Sequence, residues 1–221
     1  MSSKHLSLEH LIKKNSISVE KPGLLLMLHG YGSDENDLFS FANELPEELF
    51  IVSAKAPYPL QPYGHAWYSI YFDSTDGKFN DIDQAKSSIE LIAEFIDELV
   101  ENYQLNGQQV TVLGFSQGAI LGYALAFKYP QKVKNLIALS GYIDRDLLPE
   151  HSNESNYEHL QVYASHGTVD QVIPVEWARR TPTILDQYQI KNTYSEFPVG
   201  HGVAPQNFFE FKNWLLEQLK K

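Results

Sequence analysis

The chain has 221 residues, 43% of them hydrophobic, with no cysteine and a formal net charge of −11. This length and apolar share suit one domain spanning 1–221 with a sizeable core. Lack of cysteine excludes a disulfide framework, a thiolate metal site and a cysteine nucleophile, and the acidic balance argues against a nucleic-acid partner.

The start, Met1–Ser2–Ser3–Lys4–His5, lacks the long apolar core of a signal peptide, and no apolar run reaches membrane-spanning length. The expectation is a cytoplasmic protein without stable membrane insertion. Residues Leu6–Glu20 partly alternate apolar and polar, which predicts one or two edge strands with a turn near Lys14–Asn15. After Pro22–Gly23, the run Leu24–Leu28 reads as a strand buried on both faces. It ends in His29–Gly30–Tyr31–Gly32–Ser33–Asp34, a glycine-rich turn leading to a helix of roughly Glu35–Leu45. Phe50–Ala54 is a further strand.

The segment Lys55–Phe79 reads as long and irregular, with aromatic residues including Tyr58, Tyr63, Trp67, Tyr68, Tyr71 and Phe72. Long ordered loops are often functional, and aromatic residues on them need something to pack against. Apolar residues from Ile82 to Tyr103 then recur at three- and four-residue spacing, an amphipathic helix that Asn106–Gly107 should end.

The next stretch organises the chain. Val110–Phe115 has strand character, Gly114–Phe115–Ser116–Gln117–Gly118 follows, and Ala119–Phe127 suits a buried helix that Tyr129–Pro130 stops. A serine on a sharp strand-to-helix turn crowds its neighbours, and Gly114 and Gly118 remove the side chains that would clash. The helix amino terminus sets free N–H groups and the positive end of its dipole beside the hydroxyl.

Leu136–Ser140 and Leu160–Ser165 are predicted strands, separated by only nineteen residues, too few for a cap domain. A helical segment from about Val175 to Gln189, kinked or split by Pro182, precedes a last strand, Asn192–Phe197. Pro205 opens a terminal helix marked by Phe208, Phe211, Leu215 and Leu219. Its apolar surplus, which includes Phe209 and Trp214, serves either the core or a homodimer interface. Strands alternating with helices imply a mostly parallel central sheet covered on both faces.

Functional groups in such sheets collect at the carboxyl ends of the strands. Three of those ends carry Ser116, Asp170 and His201, in the chain order of an α/β-hydrolase triad. A serine needs a base to take its proton, and the base needs a carboxylate to hold its tautomer. Of the eight histidines, only His201 follows Asp170. His29 and His166 read as structural, bonding their own loops, and His5, His10, His65, His151 and His159 as loop or surface by context, although His65 lies in the aromatic loop. Asp170 is the favoured acid, with Asp144 or Asp146 as the alternative if Asp170 only caps a helix. The backbone N–H groups of Tyr31 and Gln117 are positioned to receive an oxyanion.

The chain resembles the small phospholipase/carboxylesterase family of α/β-hydrolases, which includes acyl-protein thioesterases. The resemblance is carried by Leu28–Gly32, Trp67–Tyr68, Gly114–Gly118, His166–Asp170 with Val172–Pro174, and Gly200–Gly202, which together span nearly the whole chain. It implies carboxylic-ester hydrolysis through an acyl-serine intermediate without metal or cofactor. It selects Ser116, Asp170 and His201 as triad, and Tyr31 and Gln117 as oxyanion donors. With no cap, the expected substrate is a small-molecule ester of short to medium acyl length, lined by Trp67, Tyr68 and His65. A lysophospholipase or thioesterase taking longer chains is the alternative, and a receptor that kept the fold without the chemistry is the non-enzyme reading.

Overall fold

The computed structural model describes residues 6–73, 77–149 and 157–221; His5, His151 and the side chains of 72–79 lie outside that description. Its centre is a seven-stranded sheet. The strands are β1 (His10–Lys13), β2 (Gly23–Leu28), β3 (Phe50–Ala54), β8 (Asn106–Phe115), β9 (Asn135–Leu139), β10 (Gln161–Gly167) and β11 (Lys191–Phe197). Their order is β1-β3-β2-β8-β9-β10-β11, and only β1 is antiparallel to its neighbour. Every residue of β3 and β9 is buried, as a parallel sheet covered on both faces requires.

The helices are α1 (Asn36–Phe39), α2 (Ile82–Tyr103), α3 (Gln117–Lys128), α4 (Val175–Ala178), α5 (Thr181–Gln187) and α6 (Pro205–Leu219). The larger core joins α2, α3 and α5 to one face of the sheet, through residues such as Ile92, Leu121 and Leu185. A smaller core joins α1 and α6 to the other, through Leu38, Phe211 and Leu215. Most of the apolar surplus of α6 goes into this second core, where Phe208 and Trp214 also pack, while Phe209 stays 59% exposed. Among the described residues no helix is long and apolar enough to cross a membrane, and no separate cap domain stands over the sheet.

Several elements differ from expectation, each for a local reason. Between Leu6 and Glu20 one strand forms, and Ile17 and Val19 stay exposed because no neighbour pairs with them. The helix after β2 is a single turn followed by a 3₁₀ turn, Ala42–Glu44. Asp81 caps α2 by accepting the Gln84 N–H, and Gln104 closes the helix in the left-handed region at φ 54°. Asn106–Gly107 therefore opens β8 rather than ending the helix. Pro182 sits in the first turn of α5, where its missing N–H costs nothing, so the segment is two helices rather than one kinked helix.

The aromatic segment is not irregular. It folds into two antiparallel hairpins, β4 (Tyr58–Pro59) with β5 (His65–Ala66), and β6 (Ile70–Asp73) with β7 (Gly77–Asn80). Strands this short carry too little alternation to be seen in a sequence.

Candidate active site

The strand order reverses between β2 and β8, the switch point where open parallel sheets bind ligands. Ser116 sits at the carboxyl end of β8 in a strained conformation, φ 53° and ψ −115°, before α3 starts at Gln117. The bend is held by Ser116 N–H donating to the Leu139 carbonyl at 2.9 Å, and by Ala119 and Ile120 N–H donating to the Ser116 carbonyl. Close backbone approach requires both flanking glycines. A Cβ on Gly118 would lie 2.0 Å from the Leu28 carbonyl oxygen, and one on Gly114 2.4 Å from the Gly118 carbonyl oxygen.

Loops after the last two strands bring an imidazole and a carboxylate up to the serine. His201 Nε2 lies 2.9 Å from Ser116 Oγ, and His201 Nδ1 lies 2.7 Å from Asp170 Oδ2. The Asp170 carboxylate has no exposed side-chain surface, and its Oδ1 accepts the Val172 and Ile173 N–H groups at 2.8 and 3.0 Å. Burial works to raise its pKa, but the bond to His201 and those two N–H groups outweigh it and hold the carboxyl below its ordinary value. An ionised carboxylate only accepts, so His201 Nδ1 carries the proton and Nε2 presents its lone pair to the serine.

Two further contacts fix this pair. The Phe115 ring packs on the imidazole at 5.0 Å between centroids, and Thr168 and Val169 N–H donate to the carbonyls of Phe197 and Val199, tying the Asp170 loop to the His201 loop. Asp144 bonds to Asp146 N–H and Asn80 instead, while His201 Nδ1 is taken by Asp170, so the alternative acid position is otherwise engaged. Asp170 is not a helix cap, since α4 begins beyond Pro174.

Tyr31 and Ser116 stand side by side because β2 and β8 pair in register, Leu28 opposite Gly114. His29 supports the Tyr31 turn from below. It is wholly buried, its Nδ1–H donates to the Gly30 carbonyl at 2.7 Å, and its Nε2 accepts the Ala56 N–H at 3.1 Å. Burial lowers its pKa, which keeps that neutral tautomer.

The Gln117 side chain has a role that the sequence motif alone did not indicate. It is buried, accepts the Trp67 N–H on Oε1 and donates from Nε2 to the Tyr68 carbonyl, both at 2.8 Å. One glutamine thus clamps the aromatic segment onto the elbow. A lone amide at the start of an apolar helix was the available signal, because buried polar groups are normally partnered.

A cavity of about 410 Å³ opens beside Ser116 and His201. Its walls are mostly apolar, from Tyr68, Ile70, Ile120, Tyr142, Ile173 and Trp177, with Tyr31 and Gln117 at the serine end. Burial pushes the Tyr68 and Tyr142 phenols up in pKa, so both present neutral hydroxyls. Of the three residues expected to line substrate, only Tyr68 borders this cavity. Trp67 is wholly buried, its indole N–H donating to the His29 carbonyl at 2.9 Å, so it supports the turn from behind. His65 lies on β5, exchanging backbone bonds with Gly32 and Ser33, and borders a separate polar crevice with Glu9 and Lys55. Hairpin pairing turned both away from the cavity. Ile70, Ile120, Tyr142 and Trp177 were not anticipated, since they converge from four distant parts of the chain. Among the described residues no group of three or more His, Asp or Glu is arranged to hold a metal ion.

A mostly parallel seven-stranded sheet with a serine elbow at its switch point defines the α/β-hydrolase class, and within it the serine hydrolases. The chain belongs to the phospholipase/carboxylesterase family, whose model matches residues 14–218. Acyl-protein thioesterase 1 of Debaryomyces hansenii is 28% identical over 159 residues, 70% of this chain and 68% of that protein. Acyl-protein thioesterase 1 of Kluyveromyces lactis is 25% identical, covering 90% of this chain and 91% of that protein. Among solved structures, the Bacillus cereus carboxylesterase superposes with a TM-score of 0.80 at 19% identity, over 96% of this chain and 94% of that one, a likeness of fold. The protein is thus an enzyme of an esterase and thioesterase family.

Proposed function

We propose that this enzyme is a serine carboxylesterase for short- to medium-chain esters, working through an acyl-serine intermediate. The hydrogen-bonded chain Ser116 Oγ–His201–Asp170 carries the reading. His201 Nε2 takes the hydroxyl proton as Oγ adds to the ester carbonyl carbon. The oxyanion is received by the N–H groups of Tyr31 and Gln117, whose residues border the cavity beside Ser116. Collapse expels the alcohol, protonated by His201, and leaves the acyl group on Ser116. Water, deprotonated by the same imidazole, then releases the acid. Asp170 holds the Nδ1–H tautomer and stabilises the imidazolium in both halves.

Acyl length follows from volume. A cavity of about 410 Å³ falls toward the small end of the roughly 300–1,000 Å³ seen for ligand sites. One observation favours the second reading, a lysophospholipase or acyl-protein thioesterase. At the mouth, Tyr31, Val172 and Trp177 are 41%, 57% and 43% exposed, an apolar rim along which a longer chain would lie.

The test is hydrolysis of p-nitrophenyl esters from acetyl to palmitoyl, with Ser116→Ala alongside. Activity should peak on the short side and fall by about 10⁴–10⁶ in Ser116→Ala. A peak at the longest chains would move the assignment to the second reading, and no activity on any ester from folded protein would end the esterase reading.

A further inference from the structure

We propose that His166 is a positioning residue for the acid, its Nε2–H holding the Ile173 carbonyl of the turn that carries Asp170 while the same nitrogen lies against the Asp170 oxygen that orients His201; this rests on the triad reading above. His166 lies near the end of β10, and neither its side chain nor that of Asp170 has any exposed surface. Its Nε2 is 2.9 Å from the Ile173 carbonyl oxygen and 3.2 Å from Asp170 Oδ2. A carbonyl only accepts, so Nε2 bears the proton and donates it to Ile173, with Asp170 Oδ2 beside it. Nδ1 is buried with no hydrogen-bond partner, and a proton there would be an orphaned donor in the interior. The surroundings therefore select the Nε2–H tautomer.

The consequence falls on Asp170. Its Oδ1 is taken by Val172 and Ile173 N–H, and its Oδ2 faces His201 Nδ1 and His166 Nε2. With N–H groups on both oxygens, the carboxylate has no free rotation about its Cβ–Cγ bond. His166 also anchors the turn that carries it, because Ile173 donates to Asp170 and accepts from His166. The charged groups around this cluster are few. Glu196 stands opposite His166 in the β10–β11 register, and its carboxylate is held by Arg179 at 2.8 and 2.9 Å, with Glu176 3.8 Å from the same guanidinium. The turn that holds Asp170 Oδ1 thus depends on His166, and losing its bond to Ile173 lets the carboxylate shift against His201 Nδ1.

The test follows the His201 Nδ1 proton by NMR, which needs no turnover and reads the bond to Asp170, in wild type, His166→Gln, His166→Asn and His166→Leu. The Gln amide nitrogen reaches the place of Nε2, whereas that of Asn reaches only the place of Nδ1. In His166→Asn and His166→Leu this resonance should move and broaden as the Asp170 turn loosens. Turnover of p-nitrophenyl butyrate near neutral pH should fall about tenfold with KM little changed. His166→Gln should return both toward wild type, and should His166→Leu fail to fold, the Gln and Asn pair decides. An unmoved Nδ1 resonance in folded His166→Asn, or equal effects in Gln and Asn, would overturn the proposal. Absence of Ser116-dependent hydrolysis would instead remove the esterase reading while the NMR signal still reports on His166.

Discussion

The elbow around Ser116 and the hairpin segment from Lys55 to Asp73 both border the cavity, but they are held by different physics. The elbow is held by sterics: backbone lies on backbone, with Gly118 against Leu28 and Gly114 against Gly118 at distances that admit no Cβ. The hairpin segment is held by hydrogen bonds from a few side chains. Gln117 takes Trp67 N–H and the Tyr68 carbonyl, the Trp67 indole reaches His29, and Ser88 Oγ donates to the Trp67 carbonyl. Close packing has no graded failure, because a methyl either fits or moves the chain. Hydrogen bonds fail one at a time, each with a modest loss. The serine geometry should therefore be intolerant of change, and the cavity wall adjustable.

Gly118→Ala is the severest trial of this contrast. Its Cβ would meet the Leu28 carbonyl oxygen at 2.0 Å, pushing α3 away from β2 and separating Ser116 from the Tyr31 turn. Ester turnover should fall by about a hundredfold or more, because displacements near 1 Å at a reacting centre cost that much. Near-wild-type activity in this variant would erase the distinction between the two regions.

Gln117→Leu probes the other side. It leaves the Trp67 N–H and the Tyr68 carbonyl buried without partners, at a cost of about 1–3 kcal/mol each. The melting temperature should drop by roughly 4–24 °C, and turnover by about tenfold as the wall loosens. Ser88→Ala removes a single bond to the same segment, the one to the Trp67 carbonyl, so a smaller drop in a thermal melt sharpens the comparison.

The smallest effect is one of pH and comes from His29, beneath the Tyr31 turn. Burial lowers its pKa from 6.5, against the bond to the Gly30 carbonyl. Below 6.5 the unfolded chain takes a proton that the folded chain refuses, so this contribution to stability is complete above 6.5 and is lost as pH falls toward the lowered value. Urea midpoints measured from about pH 8 to about pH 5 should decline, with a slope of at most about 1.4 kcal/mol per pH unit from this group. His29→Asn, which does not titrate here, should flatten the profile; an equal decline in both would place the effect elsewhere.

Local chemistry made much of this protein legible. Continuous apolar runs marked β2, β3 and β9, helical periodicity marked α2, and Gly114–Gly118 marked the elbow, since each signal lies within a few consecutive residues. The chain order of Ser116, Asp170 and His201 also picked out the three side chains that the structure joins by hydrogen bonds. The segment from Tyr58 to Asn80 was misread because strands of two to four residues have no period to detect. Trp67 and His65 were assigned to the cavity on residue type, yet which way a loop side chain points depends on its partners across the fold.

The amino-acid sequence by itself determined the sheet, the elbow and the three side chains that hydrogen bonds join, because propensity, pattern and spacing are local properties. Only the tertiary structure decided what surrounds them: the Gln117 clamp, the Phe115 ring on His201, the His166 N–H on the Ile173 carbonyl, and a cavity whose walls come from β6, α3, the Tyr142 loop and α4. Those contacts join residues tens of positions apart in the chain, and a pattern read along the chain has no term for them.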